Sequence, residues 1–101
     1  MVAAAGGDSV RCADYATFGT AELSRNALVA LEDRQACLLA NHGVIATGAH
    51  LTNALALAEE IESLAGQYCA ALATGVPVLL DAAEMARVVA QFESYGKQDN
   101  P

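Results

Sequence analysis

The sequence predicts an α/β fold. Two apolar runs of strand length, Ala36 to Ala40 and Val44 to Ala46, flank the polar triplet Asn41-His42-Gly43. From Thr52 onward apolar residues recur at intervals of three and four as far as Leu72, which is the spacing of a long amphipathic helix. Strand-length and helix-length patterns alternate along the 101 residues with no internal repeat, low-complexity tract or linker, as expected of a single α/β unit.

Composition narrows what such a unit can do. A chain of this length can form a core but leaves much of its surface in water. Apolar residues make up 54%, many of them alanine, which suits close helix packing better than a bulky interior. The formal net charge is −7 and the pI near 4.4. The five Lys and Arg residues never cluster, so nucleic acid is excluded as a partner. Cys12, Cys37 and Cys69 are odd in number, widely spaced and without a C-x-x-C pair, which predicts free thiols in a reducing, cytoplasmic compartment. Cys37 and Cys69 fall on apolar positions and are expected to be buried. Met1 to Gly7 lacks the basic start and long apolar region of a signal peptide. Gln35 to Ala58 and Ser63 to Leu80 are free of charge, but the first holds Asn41, His42, His50 and Asn53, and Gly75 and Pro77 break the second. No membrane span is expected.

Val2 to Ala5 is a short apolar run closed by Gly6-Gly7-Asp8-Ser9 and reads as a strand entering a turn. A phosphate-cradling loop is the sharper alternative, but no Gly-Lys-Ser/Thr follows and no helix begins at once. Val10 to Gly19 has no period and reads as a loop, with Tyr15 and Phe18 either pinning it to the core or lining a ligand pocket. Thr20 is the predicted N-cap of a helix reaching about Glu32, with Glu22 favoured in its first turn by the helix dipole. Leu23, Ala27, Ala30 and Leu31 share its apolar face. The long helix from Thr52 sets Leu57, Ile61, Leu64, Tyr68 and Leu72 opposite Glu59, Glu60, Glu62 and Gln67. That acidic face reads as solvated, because no histidine shares its spacing to complete a metal site. Gly75 and Pro77 stop the helix. Asp81, with Glu84 three residues on, forms a capping-box pattern that opens a third helix striped by Met85, Val88, Val89 and Phe92. Tyr95-Gly96 and the polar Lys97 to Pro101 close the chain.

His42 is the residue most suited to chemistry. Gly43 permits a sharp backbone change between the two apolar runs, so His42 would project from their junction. A histidine so placed can ligate a metal through one ring nitrogen while the other is held by a carbonyl or carboxylate. A metal site needs three or four ligands, however, and only one candidate stands here, so the residues alone favour a turn whose histidine caps the strand. No second ligand at workable spacing, no Gly-rich phosphate loop and no carboxylate placed as a base accompanies it.

Three stretches carry a resemblance. Ala3-Ala4-Ala5-Gly6-Gly7-Asp8-Ser9, then Cys12-Ala13-Asp14-Tyr15-Ala16-Thr17-Phe18-Gly19-Thr20-Ala21-Glu22-Leu23, then Leu38-Leu39-Ala40-Asn41-His42-Gly43, resemble the second half of class II aldolase/adducin proteins, with the L-fuculose-phosphate aldolase branch the nearest type. The resemblance runs from Met1 to about Gly96. It implies that residues 1–101 are one partial domain, the C-terminal portion of a three-layer α/β/α fold with short strands around a His-Gly turn and three helices. Met1 would then be an internal methionine of full-length relatives.

The same resemblance implies a zinc-dependent aldolase that cleaves a ketose 1-phosphate, such as L-fuculose 1-phosphate, to dihydroxyacetone phosphate and an aldehyde. It makes His42 a zinc ligand, sets Phe18 and Phe92 along the aldehyde end of the substrate, and gives Tyr95 the part of a mobile lid or proton donor. The other two histidines (a His-x-His motif), the catalytic glutamate, a catalytic tyrosine and the phosphate-binding Ser and Gly residues of the family have no counterpart in this chain. The chain alone is therefore expected to be inactive and to hold zinc weakly or not at all. Its expected partners are a small sugar phosphate and further copies in a homotetramer, or a complementing N-terminal half. The alternative from a different class is a non-catalytic assembly module of the adducin kind.

Overall fold

A computed structural model of the chain describes residues 1–94. Its elements are a 3₁₀ turn at Val2–Ala5, β1 Cys12–Ala13, α1 Ala21–Ala30, β2 Ala36–Leu39, β3 Gly43–Ala46, α2 Leu51–Thr74 and α3 Ala82–Ser94. The strands form one sheet in the order β1-β2-β3. β1 runs parallel to β2, with Ala13 beside Leu39, while β2 and β3 are an antiparallel hairpin in which Leu39 faces Gly43.

β2 is the centre of the molecule. Consecutive residues of a strand point to opposite faces, and Ala36 and Cys37, both fully buried, head two separate clusters. Ala36 packs with Ala5, Leu57 and Ile61, which places the 3₁₀ turn and α2 on one face. Cys37 packs with Ala13 and with Ala30 of α1 on the other. Helices therefore cover both faces of the sheet, giving the α/β/α layering that the family resemblance implies.

α1 and α3 start on side-chain caps. Thr20 Oγ1 accepts a hydrogen bond from the Leu23 N–H at 3.2 Å, satisfying one of the free donors of the first turn. Thr20→Ala should therefore lower stability by about 0.5–2 kcal/mol, read as a shift in the urea midpoint with an unchanged slope. Asp81 Oδ1 accepts from the Glu84 N–H at 2.8 Å, but Glu84 does not reach back as a full capping box would. Its carboxylate instead pairs with Arg87, one turn along.

Four expectations are corrected. Val2–Ala5 is a 3₁₀ turn, with Ala4 N–H bonded to Met1 O and Gly6 N–H to Ala3 O, both at 3.0 Å. A run that is mostly alanine has little strand propensity, and its small side chains let the turn sit against α2 and α3. Cys12–Ala13, inside the expected loop, is a strand held by Leu38 N–H to Arg11 O (2.8 Å) and Ala40 N–H to Ala13 O (3.1 Å). Tyr15 and Phe18 do not pin that segment to the core, since they are 56% and 79% exposed. Cys69 is exposed too, whereas Cys37 is buried as expected. The cause is length. α2 is about 36 Å long, while four-residue strands reach only about 13 Å, so the last turns of α2, with Tyr68, Cys69 and Leu72, overhang the sheet.

The Gly6-Gly7-Asp8-Ser9 turn holds a protein side chain. The Arg34 guanidinium donates to Ser9 O and to Asp8 Oδ1, each at 2.8 Å, and to Asp33 O at 2.9 Å. A Cβ on Gly7 would lie 2.2 Å from its central carbon, so the glycine here serves close approach of arginine.

Candidate functional site

The hairpin turn is built by three residues between Leu39 and Gly43. His42 N–H bonds to Leu39 O at 3.0 Å, and Asn41 takes φ 66°, a left-handed value that asparagine tolerates better than most residues. Gly43 follows at φ 152°, which an L side chain rarely adopts. The backbone thus lifts His42 to the exposed tip of the hairpin, as the Asn-His-Gly triplet predicts.

Two neighbours hold its ring. Nε2 lies 2.9 Å from the Ala16 carbonyl oxygen. A carbonyl only accepts, so Nε2 carries the proton in this contact and, in the neutral ring, Nδ1 keeps the lone pair. A Lewis acid meets that lone pair directly, whereas coordination through Nε2 requires the Ala16 bond to break. The Tyr15 ring stacks on the imidazole with centroids 5.4 Å apart and planes at 18°. This pair carries no signal in the sequence, because Tyr15 and His42 are far apart in the chain and follow no common period. The parallel register explains it. Ala13 pairs with Leu39, so the residues leaving β1 and those leaving β2 emerge side by side.

The remaining candidates are dispersed among the described residues. Phe18 follows Tyr15 by three residues and stands in solvent. Phe92 is half-buried on α3 and lines a cleft of about 250 Å³ with Ala3, Ala4 and Gln35, a cleft to which neither Tyr15 nor His42 contributes. Tyr95 lies outside the described residues. A cavity of about 400 Å³, lined by Gln35, Thr47, Gly48, Ala49, Asn53 and Leu57, sits at the opposite end of the hairpin from His42. Burial, and then the neighbouring Cys12, raise the pKa of the Cys37 thiol, so it stays protonated and unreactive in the core.

A catalytic zinc takes three protein ligands. Among the described residues no three His, Cys, Asp or Glu side chains gather into such a group. His42 has the chemistry of one ligand, and the donor set of the described residues by itself falls short of a site. Zinc added to the isolated chain should therefore be lost on dialysis. Stoichiometric retention that disappears in His42→Ala would show that further ligands exist within these 101 residues.

Among the described residues, no helix is long and apolar enough to cross a membrane. Comparison with known proteins places the architecture. The profile of the class II aldolase and adducin N-terminal domain matches residues 1–69. The chain is 57% identical over 96 residues to a 5-methylthioribulose-1-phosphate/5-deoxyribulose-1-phosphate aldolase of Rhodospirillum rubrum, covering 95% of this chain and 43% of that protein. It is 52% identical over 98 residues to an L-fuculose phosphate aldolase of Escherichia coli K12, covering 95% of this chain and 45% of the relative. A solved L-fuculose 1-phosphate aldolase superposes with a TM-score of 0.86 at 47% identity, over 91% of this chain and 43% of that one. The chain thus spans less than half the length of these relatives, and its α/β fold is the corresponding part of theirs. It belongs to the class II aldolase and adducin family.

Proposed function

We propose that this chain is the C-terminal portion of a zinc-dependent aldolase domain that cleaves a ketose 1-phosphate into dihydroxyacetone phosphate and an aldehyde, and that it is inactive by itself. The observation that carries the reading is an imidazole on an exposed hairpin tip, within a chain whose relatives of 52–57% identity are named as sugar-phosphate aldolases. The relatives' names span fuculose, methylthioribulose and deoxyribulose phosphates, so the reading is of a small ketose 1-phosphate rather than one particular sugar.

Zinc in such a site supplies a Lewis acid. This chain's own contribution is an imidazole held out from the sheet. Phe18, exposed three residues beyond Tyr15, would shield the aldehyde end of the substrate. Phe92 and Tyr95 are proposed to do so from α3 and the tail, Tyr95 as a proton donor. Because the Phe92 cleft shares no lining residue with the hairpin tip, Phe92 would serve the site of a neighbouring copy in a homo-oligomer. A cytoplasmic location agrees with three cysteines left as free thiols.

The test is complementation. The chain is mixed with a separately expressed N-terminal half of the Rhodospirillum rubrum relative, and zinc content and aldol cleavage are measured. Retained zinc and activity in the mixture, and neither in the chain alone, is the expected result. One observation favours the assembly-module alternative: Val76 and Val78, between α2 and α3, are 94% and 97% exposed within a stretch free of charge. If the halves associate and take up zinc while no ketose 1-phosphate is cleaved, that alternative stands and the enzyme reading falls.

A further inference from the structure

We propose that Tyr15 is a positioning residue for His42, fixing the plane of the imidazole through the face of its ring. The inference rests on the reading of His42 as the imidazole that serves the site. Segment 15–16 delivers both restraints. The Tyr15 stack, at a 5.4 Å centroid distance and 18° between planes, lies in the favourable range for offset aromatic pairs and limits tilt of the imidazole. The Ala16 carbonyl, 2.9 Å from Nε2, limits its rotation about the Cβ–Cγ bond and selects the tautomer with Nδ1 bare.

The arrangement has the form of a support. His42 stands on a turn at the edge of the molecule, where an unrestrained imidazole samples several rotamers. Ala16 is buried at 5% exposure and anchors the segment, while Tyr15 is 56% exposed and contributes little to the core. Its phenol hydroxyl makes no hydrogen bond among the described residues, so the ring face is what acts. A side chain that spends an aromatic surface on an exposed imidazole, and not on the interior, is placed for the imidazole's sake.

The chain contains two histidines, and His50, which makes no side-chain cap to α2, serves as an internal reference. Ring protons and ring nitrogens of both are followed by NMR on the 101-residue chain, without zinc or substrate, so failure of the stack and failure of the aldolase reading are separately visible. His42 should show ring protons displaced upfield from those of His50 and a single Nε2–H tautomer. Tyr15→Phe should keep both signatures, and Tyr15→Ala should lose both, the displacement because the aromatic ring is gone and the tautomer because an imidazole free to tilt no longer holds its Nε2–H on the Ala16 carbonyl, with the β2–β3 amide signals unchanged as a check on folding. A purely structural part in the loop would move the amides of residues 14–19 and leave the single Nε2–H tautomer of His42 as it is. The proposal is overturned if wild-type His42 matches His50, if Tyr15→Ala keeps the single Nε2–H tautomer, or if Tyr15→Phe loses it.

Discussion

His42→Ala will abolish aldol cleavage in the complemented assembly, by at least about a hundredfold. Altering an outer partner of a metal ligand already costs about 10–100-fold, so deleting the imidazole itself should reach at least the top of that range. Zinc should leave the mixture together with activity, which atomic absorption reads directly. Tyr95→Phe should separate the two, keeping zinc bound while turnover falls, because a general acid contributes about 10²–10⁴-fold and no coordination. Equal zinc content and equal rates in wild type and His42→Ala would remove His42 from the site.

Ile61→Ala should bring the chain close to unfolding. Ile61 is 4% exposed and belongs to the cluster with Ala5, Ala36 and Leu57 that joins α2 to the sheet. Truncating such a side chain costs about 2–5 kcal/mol, against a total of roughly 5–15 kcal/mol for a domain of this size. Each kcal/mol lowers the melting temperature by roughly 4–8 °C. Leu72→Ala on the same helix is the control, since Leu72 is 49% exposed beyond the end of the sheet and should lose far less. A comparable loss at Leu72, growing with protein concentration, would mean that a second copy covers the overhanging turns in solution.

How much of this was legible in the sequence depends on the range of the interaction. The helices announce themselves through local chemistry: Thr20 and Asp81 cap, Gly75 and Pro77 stop, and Leu57 and Ile61 keep the helical period. The hairpin is equally local, because Asn41 and Gly43 carry the positive φ values that the turn demands. β1 was not legible, since two residues have no period and Cys12 and Ala13 become a strand only by pairing with β2. Tyr68, Cys69 and Leu72 follow the helical stripe faithfully, yet a stripe cannot reveal that the sheet beneath it is shorter than the helix. His42 stands out in the sequence by its place between two apolar runs and by the family resemblance. Its partners Tyr15 and Ala16 were not, because they reach it through the parallel register.

The two pairings of β2 differ in the length of chain they must close. β3 returns across the three turn residues, whereas β1 meets β2 only after residues 14–35, with α1 among them, have been laid down. Closure of a short hairpin takes about 1–10 μs, and the entropy of the longer closure must be met before the parallel contacts form. Substitutions in the hairpin should therefore slow folding, while those at Cys12 or Ala13 should mainly speed unfolding. The imidazole is raised early and receives its support late, so on the way out segment 12–18 lets go first and leaves His42 standing on an intact turn.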